Sequence, residues 1–277
     1  MAESAFQIQY RQEFIAGFEQ SQSLIRDTVT TEAVIKGNQA TFLVADSGNA
    51  DAVTRGLNGL IPGRPDNLNQ YTATLVEWHD KPIKTGFNIF ASQGDQRRIM
   101  QHTSMAVMNR KMDQDIIQEL NNNATNDTGA AQQASLDLVM YATTILGNNE
   151  VPADGNISAL ITPAFYAYLM QTKEFANADY VNNKPFTSAL NMFRWAGVNF
   201  IVHPRLPGKG TDAEKCFFYH KSAIGHAVDS GGLVSVVGYD EKDDYSWARC
   251  SVYMGPKLLQ NSGVVVVNHK GAAFAAQ

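Results

Sequence analysis

The sequence predicts an α+β fold, and three observations carry that prediction. One long helical stretch stands by itself before the middle of the chain, with Met105, Met108, Met112, Ile116 and Leu120 at spacings of three and four. The stretch ahead of it is rich in β-branched residues and turn-formers. The stretch behind it alternates helical and extended runs and then becomes strand-rich.

Composition sets the outer bounds. At 277 residues, 44% hydrophobic and 18% charged, the chain can bury a core as one large domain or two ordinary ones. No apolar run reaches the roughly eighteen residues of a membrane-spanning helix. The start, MAESAFQIQYRQEF, carries Glu3 and Glu13 where a secretory signal needs a basic end and an apolar stretch, so a cytoplasmic start is expected. Cys216 and Cys250 stand in no metal-ligand spacing and form no disulfide framework; buried thiols are the expectation. A net charge of −5 is unlike the basic footprint that duplex phosphates attract, which argues against sequence-specific nucleic-acid binding.

Taken in order, Phe6, Tyr10, Phe14 and Phe18 recur four apart and place an aromatic stripe on one face of an N-terminal helix. That face suits either the chain's own core or a second subunit. From Thr28 to Ala45, TVTTEAVIKGNQATFLVA predicts two short strands around Gly37-Asn38. About twenty-five residues of turn chemistry follow, DSGNADAVTRGLNGLIPGRPDNLNQ, including Arg55 and Arg64; a loop of that length in a compact domain is functional or mobile. The run from Tyr71 to Phe90 reads as strand, but Tyr71, Ala73 and Leu75 share one side whereas Val76 and Trp78 share the other. A ribbon that is apolar on both sides needs something to rest against.

Ser92-Gln93-Gly94-Asp95 fits the S-x-x-[DE] capping pattern ahead of the long helix, from about Gln93 to Leu120. Its methionines read as core filler because Ile and Leu continue the same spacing. AAQQASLDLVMYATTIL predicts a second helix, NISALIT a short strand, and Pro163 the first residue of a helix through AFYAYLMQ. Strands are then expected in VNFIVH, CFFYHKSAIGHAVD, GLVSVVGY, WARCSVYMGPKLL and GVVVVNH, with the acidic DEKDD as a solvated hairpin tip.

A search for chemistry finds little. PGKGTD, Pro207 to Asp212, lacks the spacing of a phosphate-binding loop, and no nucleophile elbow, zinc helix or dinucleotide fingerprint is present. Placed on one strand, His220 and His226 would stand roughly 20 Å apart, too far to share a metal. Glu77 and His79 alternate onto one side of the ribbon, where a carboxylate orients an imidazole in general-base sites, but a surface ribbon offers no water-excluded pocket. No catalytic residue, cofactor site or metal site is therefore assigned.

The stretches NLNQYTATLVEWHDKPIKTGFNIFASQGDQRRIMQ, Asn67 to Gln101, and FRWAGVNFIVHPRLPG, Phe193 to Gly208, together with the order of the elements, resemble a major capsid protein of tailed bacteriophages with the Hong Kong 97-type fold. The resemblance covers nearly the whole chain. It implies an N-terminal arm over residues 1–36, an extended β-hairpin E-loop over 37–85, a peripheral domain with a long spine helix over 86–131 and 250–277, and an axial domain over 132–249. It further implies a structural role without enzymatic activity: self-assembly as hexamers and pentamers into an icosahedral shell around the phage double-stranded DNA. The shell would be built in the host bacterial cytoplasm with scaffolding and portal proteins and a decoration protein as further partners. Contacts between subunits are then expected at Phe6, Tyr10, Phe14, Phe18, Arg55, Arg64 and Trp78. Some members join subunits through a lysine-to-asparagine bond; nothing in the spacing of Lys81 and Lys84 carries that chemistry here. Two other readings stand beside it: an encapsulin-like nanocompartment shell, and a soluble α+β hydrolase with His79 as base and Glu77 as its orienter.

Overall fold

Alternating β-branched residues, turn-formers and one long run of good helix formers divide the chain into thirteen strands and five α-helices among the described residues. The computed structural model describes residues 20–34, 36–47, 50–57, 59, 61–64, 67–91, 95–176 and 192–274. In chain order these elements are β1 (Thr30–Val34), β2 (Gln39–Asp46), β3 (Asn67–Thr74), β4 (Val76–Asp80), β5 (Ile83–Thr85), α1 (Gly86–Ala91), α2 (Gln96–Asn123), α3 (Leu136–Asn148), β6 (Ile157–Ile161), α4 (Pro163–Leu169), α5 (Lys173–Ala176), β7 (Met192–Trp195), β8 (Val198–Val202), β9 (Glu214–His220), β10 (Ile224–Asp229), β11 (Val234–Asp240), β12 (Tyr245–Leu258) and β13 (Val264–His269).

Helix α2 runs about 42 Å at roughly 1.5 Å per residue. Its N-cap is Asp95, whose carboxylate accepts from Arg98 N at 3.2 Å, so the cap lies three residues beyond the Ser92 expected from the pattern. The helix accordingly starts later and ends later than expected, with Ala124 as its C-cap. Its buried face includes Met100, Ser104, Met108 and Met112. Met105 is exposed, because a four-residue step follows this face more closely than a three-residue one. Met108 and Met112 pack on Cys250, Val252 and Met254 of β12, and Ile116, Ile117 and Leu120 join the larger core farther along. One helix thus ties two cores together.

The larger of the two main sheets, with six strands, is built around β12. Its residues Tyr245–Ser251 pair with β11 and Met254–Leu258 with β10, while β5 and β4 pair along its other edge and β1 adds in parallel to β10. The other sheet runs β13-β9-β6-β8-β7, with only β6 and β8 parallel. Its core is aromatic: Phe193 and Phe200 stack with centroids 5.0 Å apart, and Phe218 meets Phe200 edge-on at 5.8 Å. Ser135 caps α3 and Thr162 caps α4, with Pro163 at the first turn as expected.

Several expectations are corrected by this pairing. The two strands before Ala45 do form, but β1 joins β10 and β2 pairs with β3. The run from Tyr71 to Phe90 is not one ribbon: β3 ends at Thr74, β4 and β5 join β12, and α1 closes the stretch. The face change at Leu75 and Val76 is the point where the chain passes from hairpin to sheet. CFFYHKSAIGHAVD splits into β9 and β10 of different sheets, so His220 and His226 share no strand. The strand β7 escaped notice because it is four residues long. It pairs with β8 across Ala196 and Gly197, both at positive φ (50° and 79°), the mark of a two-residue type I′ turn. Helix α3 begins at Leu136, so residues 130–135, expected as its first turns, precede it.

Candidate assembly surfaces

The hairpin β2–β3 pairs eight residues on each strand, from Gln39↔Thr74 to Asp46↔Asn67. Its root is anchored: Ala40, Phe42 and Ala73 pack on Val34, Ala227 and Leu259. Gly225 leaves room for the Phe42 ring, which a Cβ there would meet at 2.9 Å. At the crossing with β12, a Cβ on Gly255 would sit 2.0 Å from the Thr74 carbonyl oxygen, so only glycine permits this approach. Beyond Val44 no described residue of the arm is buried until Ala73 on the return strand. Leu43, Leu68, Val53, Ile61 and Leu57 stand in solvent, the last 109% exposed. Arg64 Nη1 donates to the Ser47 carbonyl at 3.1 Å and closes the base of the loop, while Arg55 is exposed nearer its middle.

The outward face of the β12 sheet is a second apolar surface. Along β12 burial alternates, with Ser246, Ala248, Cys250, Val252 and Met254 turned toward α2. Tyr245, Trp247, Arg249, Ser251 and Tyr253 take the other face. Beside them the register places Val234, Val236 and Ile83, all exposed. Lys81 Nζ lies over the rings of Tyr245 and Trp247 at 5.5 and 5.2 Å. Glu77 and His79 stand on this face as the alternation predicted, with Oε1 and Nε2 2.6 Å apart, an orienter–base distance. Both are largely exposed on an open sheet, where water competes for every charge they carry. Trp78 faces the opposite way, onto Met108 and Met112, with Lys111 Nζ 3.8 Å from its ring centroid. Phe6, Tyr10, Phe14 and Phe18 lie outside the described residues.

Inside the molecule, buried carboxylates tie separate segments of the chain together. Glu214, buried at the start of β9, accepts from Thr162 Oγ1 at 2.5 Å and from Gly210 N at 2.7 Å. It fixes the PGKGTD turn against the start of α4, which gives that glycine-rich stretch a structural task. Asp113 on α2 accepts from Ser23 Oγ at 2.5 Å, from Leu24 N at 3.0 Å and from the Gln20 side chain. Burial pushes its carboxyl up, but the side chains of His203 and Ser23 and the Leu24 amide outweigh burial and hold it below the usual aspartate range. His203 Nε2 is 3.4 Å from Asp113, near enough for attraction between charges but outside hydrogen-bond geometry.

His226 is wholly buried, and neither ring nitrogen meets a hydrogen-bond partner among the described residues. Burial, reinforced by Arg26, pulls its pKa down to about 4 against the pull of Asp113. His269 is lowered in the same direction by burial, wedged between the rings of Phe165 and Tyr168. Burial lifts the Cys216 thiol to about 12, which keeps it protonated and unreactive. Among the described residues no group of three or more His, Cys, Asp or Glu is placed to hold a metal ion, and no helix is long and apolar enough to cross a membrane.

Sequence reasoning missed Asp113 and Glu214. The signal for Asp113 was present: an aspartate between Met112 and Ile116, inside the apolar stripe of a helix, implies a buried carboxylate with distant donors. No such periodic cue marks Glu214, whose donors come from turns.

Solved structures share this architecture. A chain from Mycobacterium phage Che8 superposes with a TM-score of 0.75 at 15% identity, covering 97% of this chain and 98% of that one. The cyanophage Pam1 capsid asymmetric unit gives 0.75 at 10% identity, with 98% of both chains covered. The capsid of the native GTA particle gives 0.74 at 13% identity over 96% of both. At such identities the agreement establishes the fold, the Hong Kong 97-type capsid fold. No curated protein sequence matches the chain. The profile of the phage capsid protein family matches residues 2–271, nearly the full length. The chain therefore belongs to the phage capsid protein family.

Proposed function

We propose that this capsid protein assembles as hexamers and pentamers into an icosahedral shell enclosing double-stranded phage DNA. The observation that carries the reading is the arm, a hairpin rooted by Phe42 and Ala73 that projects exposed leucine, isoleucine and valine beyond the fold. Apolar side chains held in solvent on an ordered hairpin gain nothing for a lone subunit, whereas a neighbouring copy can cover them. In a closed shell every subunit offers the same arm and the same receiving face, so one contact repeats around each ring. A net charge of −5 also suits a container that must not bind its contents tightly.

On this reading residues 1–36 form the N-terminal arm and 37–85 the E-loop stretch, which ends where β4 and β5 join β12. Residues 86–131 and 250–277 form the peripheral domain with α2 as spine, and 132–249 the axial domain. Phe6, Tyr10, Phe14, Phe18, Arg55, Arg64 and Trp78 serve contacts between subunits. Scaffolding, portal and decoration proteins are the further partners of such a shell, which is built in the host cytoplasm.

The test is electron microscopy of the purified protein beside a variant in which Asn-Gly replaces residues 47–66. Asp46 and Asn67 are already paired, so a two-residue turn closes the hairpin without strain. Wild-type protein is expected to form closed shells, and the variant to stay folded by circular dichroism without forming them. Variant shells of normal size and yield would overturn the arm's role.

A further inference from the structure

Asp113 lies in the middle of α2 and is wholly buried, an expensive place for a carboxylate unless donors surround it. Its hydrogen-bond donors come from a short stretch ahead of β1. Ser23 Oγ and Ile25 N meet Oδ1 at 2.5 and 3.4 Å; Leu24 N at 3.0 Å and Gln20 Nε2 meet Oδ2. One turn earlier on the same helix, Asn109 Nδ2 donates to the Ser21 carbonyl at 2.8 Å. Residues four apart share a helix face. A donor and an acceptor one turn apart therefore hold the backbone of residues 21–25 much as a partner strand would.

Apolar anchorage of the same stretch is narrow. Ile25 and Val29 belong to the core that includes Ile116 and Ile117, and half-buried Leu24 packs against its edge, while Ser21 and Gln22 are exposed. Few buried contacts must break for residues 20–24 to lift away, which is the signature of a segment that opens locally. Yet these residues lead directly into β1 at the edge of the β12 sheet.

We infer that Asn109 and Asp113 form a latch on α2 that clasps residues 20–25, and that this clasp opens as a unit of its own without unfolding of either sheet. The latch fixes residues 20–25 against α2, and it does so whether or not the subunit is assembled.

Backbone hydrogen exchange on the full-length chain tests this. In Asp113→Asn the charge is lost and one oxygen becomes a donor, so the amides of Leu24 and Ile25 are expected to exchange about 10-fold faster or more, as loss of charged hydrogen bonds implies. Amides of β13 keep their wild-type rates. Asn109→Ala, at a half-buried position that leaves the core intact, should accelerate the same amides by about 3-fold, as a neutral hydrogen bond implies. It decides the question alone if Asp113→Asn does not fold. Wild-type rates at Leu24 and Ile25 in the folded variants would overturn the latch. So would an acceleration spread equally over β13, which would mean that the segment opens only with the whole molecule.

Discussion

Strands β13 and β3 stand at opposite extremes of one chain: five of the six residues of β13 are buried, but one of the eight in β3 is. β13 reads VVVVNH, lies against β9 and is covered by α3, so both of its faces meet protein. β3 reads NLNQYTAT and, among the described residues, pairs with β2 alone. The body obtains its stability from burial within the chain, whereas the arm is held at its root alone. Damage in the body should therefore appear as lost folding, and damage in the arm as lost assembly with folding unchanged.

The largest expected effect lies in the body. Phe200→Ala removes a ring that stacks on Phe193 and meets Phe218, and should cost about 3–5 kcal/mol in denaturant unfolding. A loss below about 1 kcal/mol would mean that the aromatic core repacks and that the contrast with the arm is overstated.

Acid gives the next effect. The folded-state pKa of His226 is about 4 against 6.5 for a free imidazole, so the unfolded chain takes up a proton that the folded chain refuses. The penalty is absent above about pH 6.5, grows as pH falls, and is complete below about pH 4. At roughly 1.4 kcal/mol per unit it amounts to something on the order of 3 kcal/mol. His226→Leu should flatten this part of the stability profile measured by urea unfolding between pH 7 and 4. An unchanged profile would place the acid sensitivity elsewhere, with His269 the next group, lowered in the same direction.

The joint between the two regions comes third. Gly255→Ala would push a methyl group against the Thr74 carbonyl, so β12 or the hairpin root must shift, at about 1–3 kcal/mol for overpacking. Because that strain falls where the arm leaves the sheet, thermal unfolding and shell yield should both suffer. Normal shells from a destabilised subunit would mean that the arm tolerates a displaced root.

This contrast also explains what could be read from sequence. Elements with a strong period were legible: the stripe of α2, the Pro163 start of α4, and the apolar runs of β9, β12 and β13. The arm was recognisable by its turn chemistry and length. Pairing partners were not, because β1 and β2 are close in sequence but answer to β10 and β3, partners that lie in other segments of the chain and that no local pattern names. The Asp95 cap was displaced from the Ser92 pattern because Asp95 is itself a good N-cap. The reading of the Tyr71 stretch as a two-sided ribbon rested on a true signal, the face change at Leu75, but its cause is a change of sheet partner. Glu77 and His79 do meet as alternation required, and the open surface around them was equally foreseeable.

Leu57→Ser carries the smallest expected effect on stability and the sharpest test of the comparison. Leu57 is fully exposed in the single chain, so its replacement should leave the unfolding free energy within about 0.5 kcal/mol. A leucine that is buried against a neighbouring copy gives up about 1.5–3 kcal/mol per contact when it becomes polar. The loss recurs at every arm of the shell, so a modest change per subunit becomes a large change in the concentration at which shells close. Sedimentation of assembly reactions, run beside thermal unfolding of the same preparations, separates the two quantities. Unchanged unfolding with a raised assembly threshold places Leu57 in a contact between subunits. Unchanged assembly would restrict the arm's contribution to the positions nearer its root, Leu43 and Leu68.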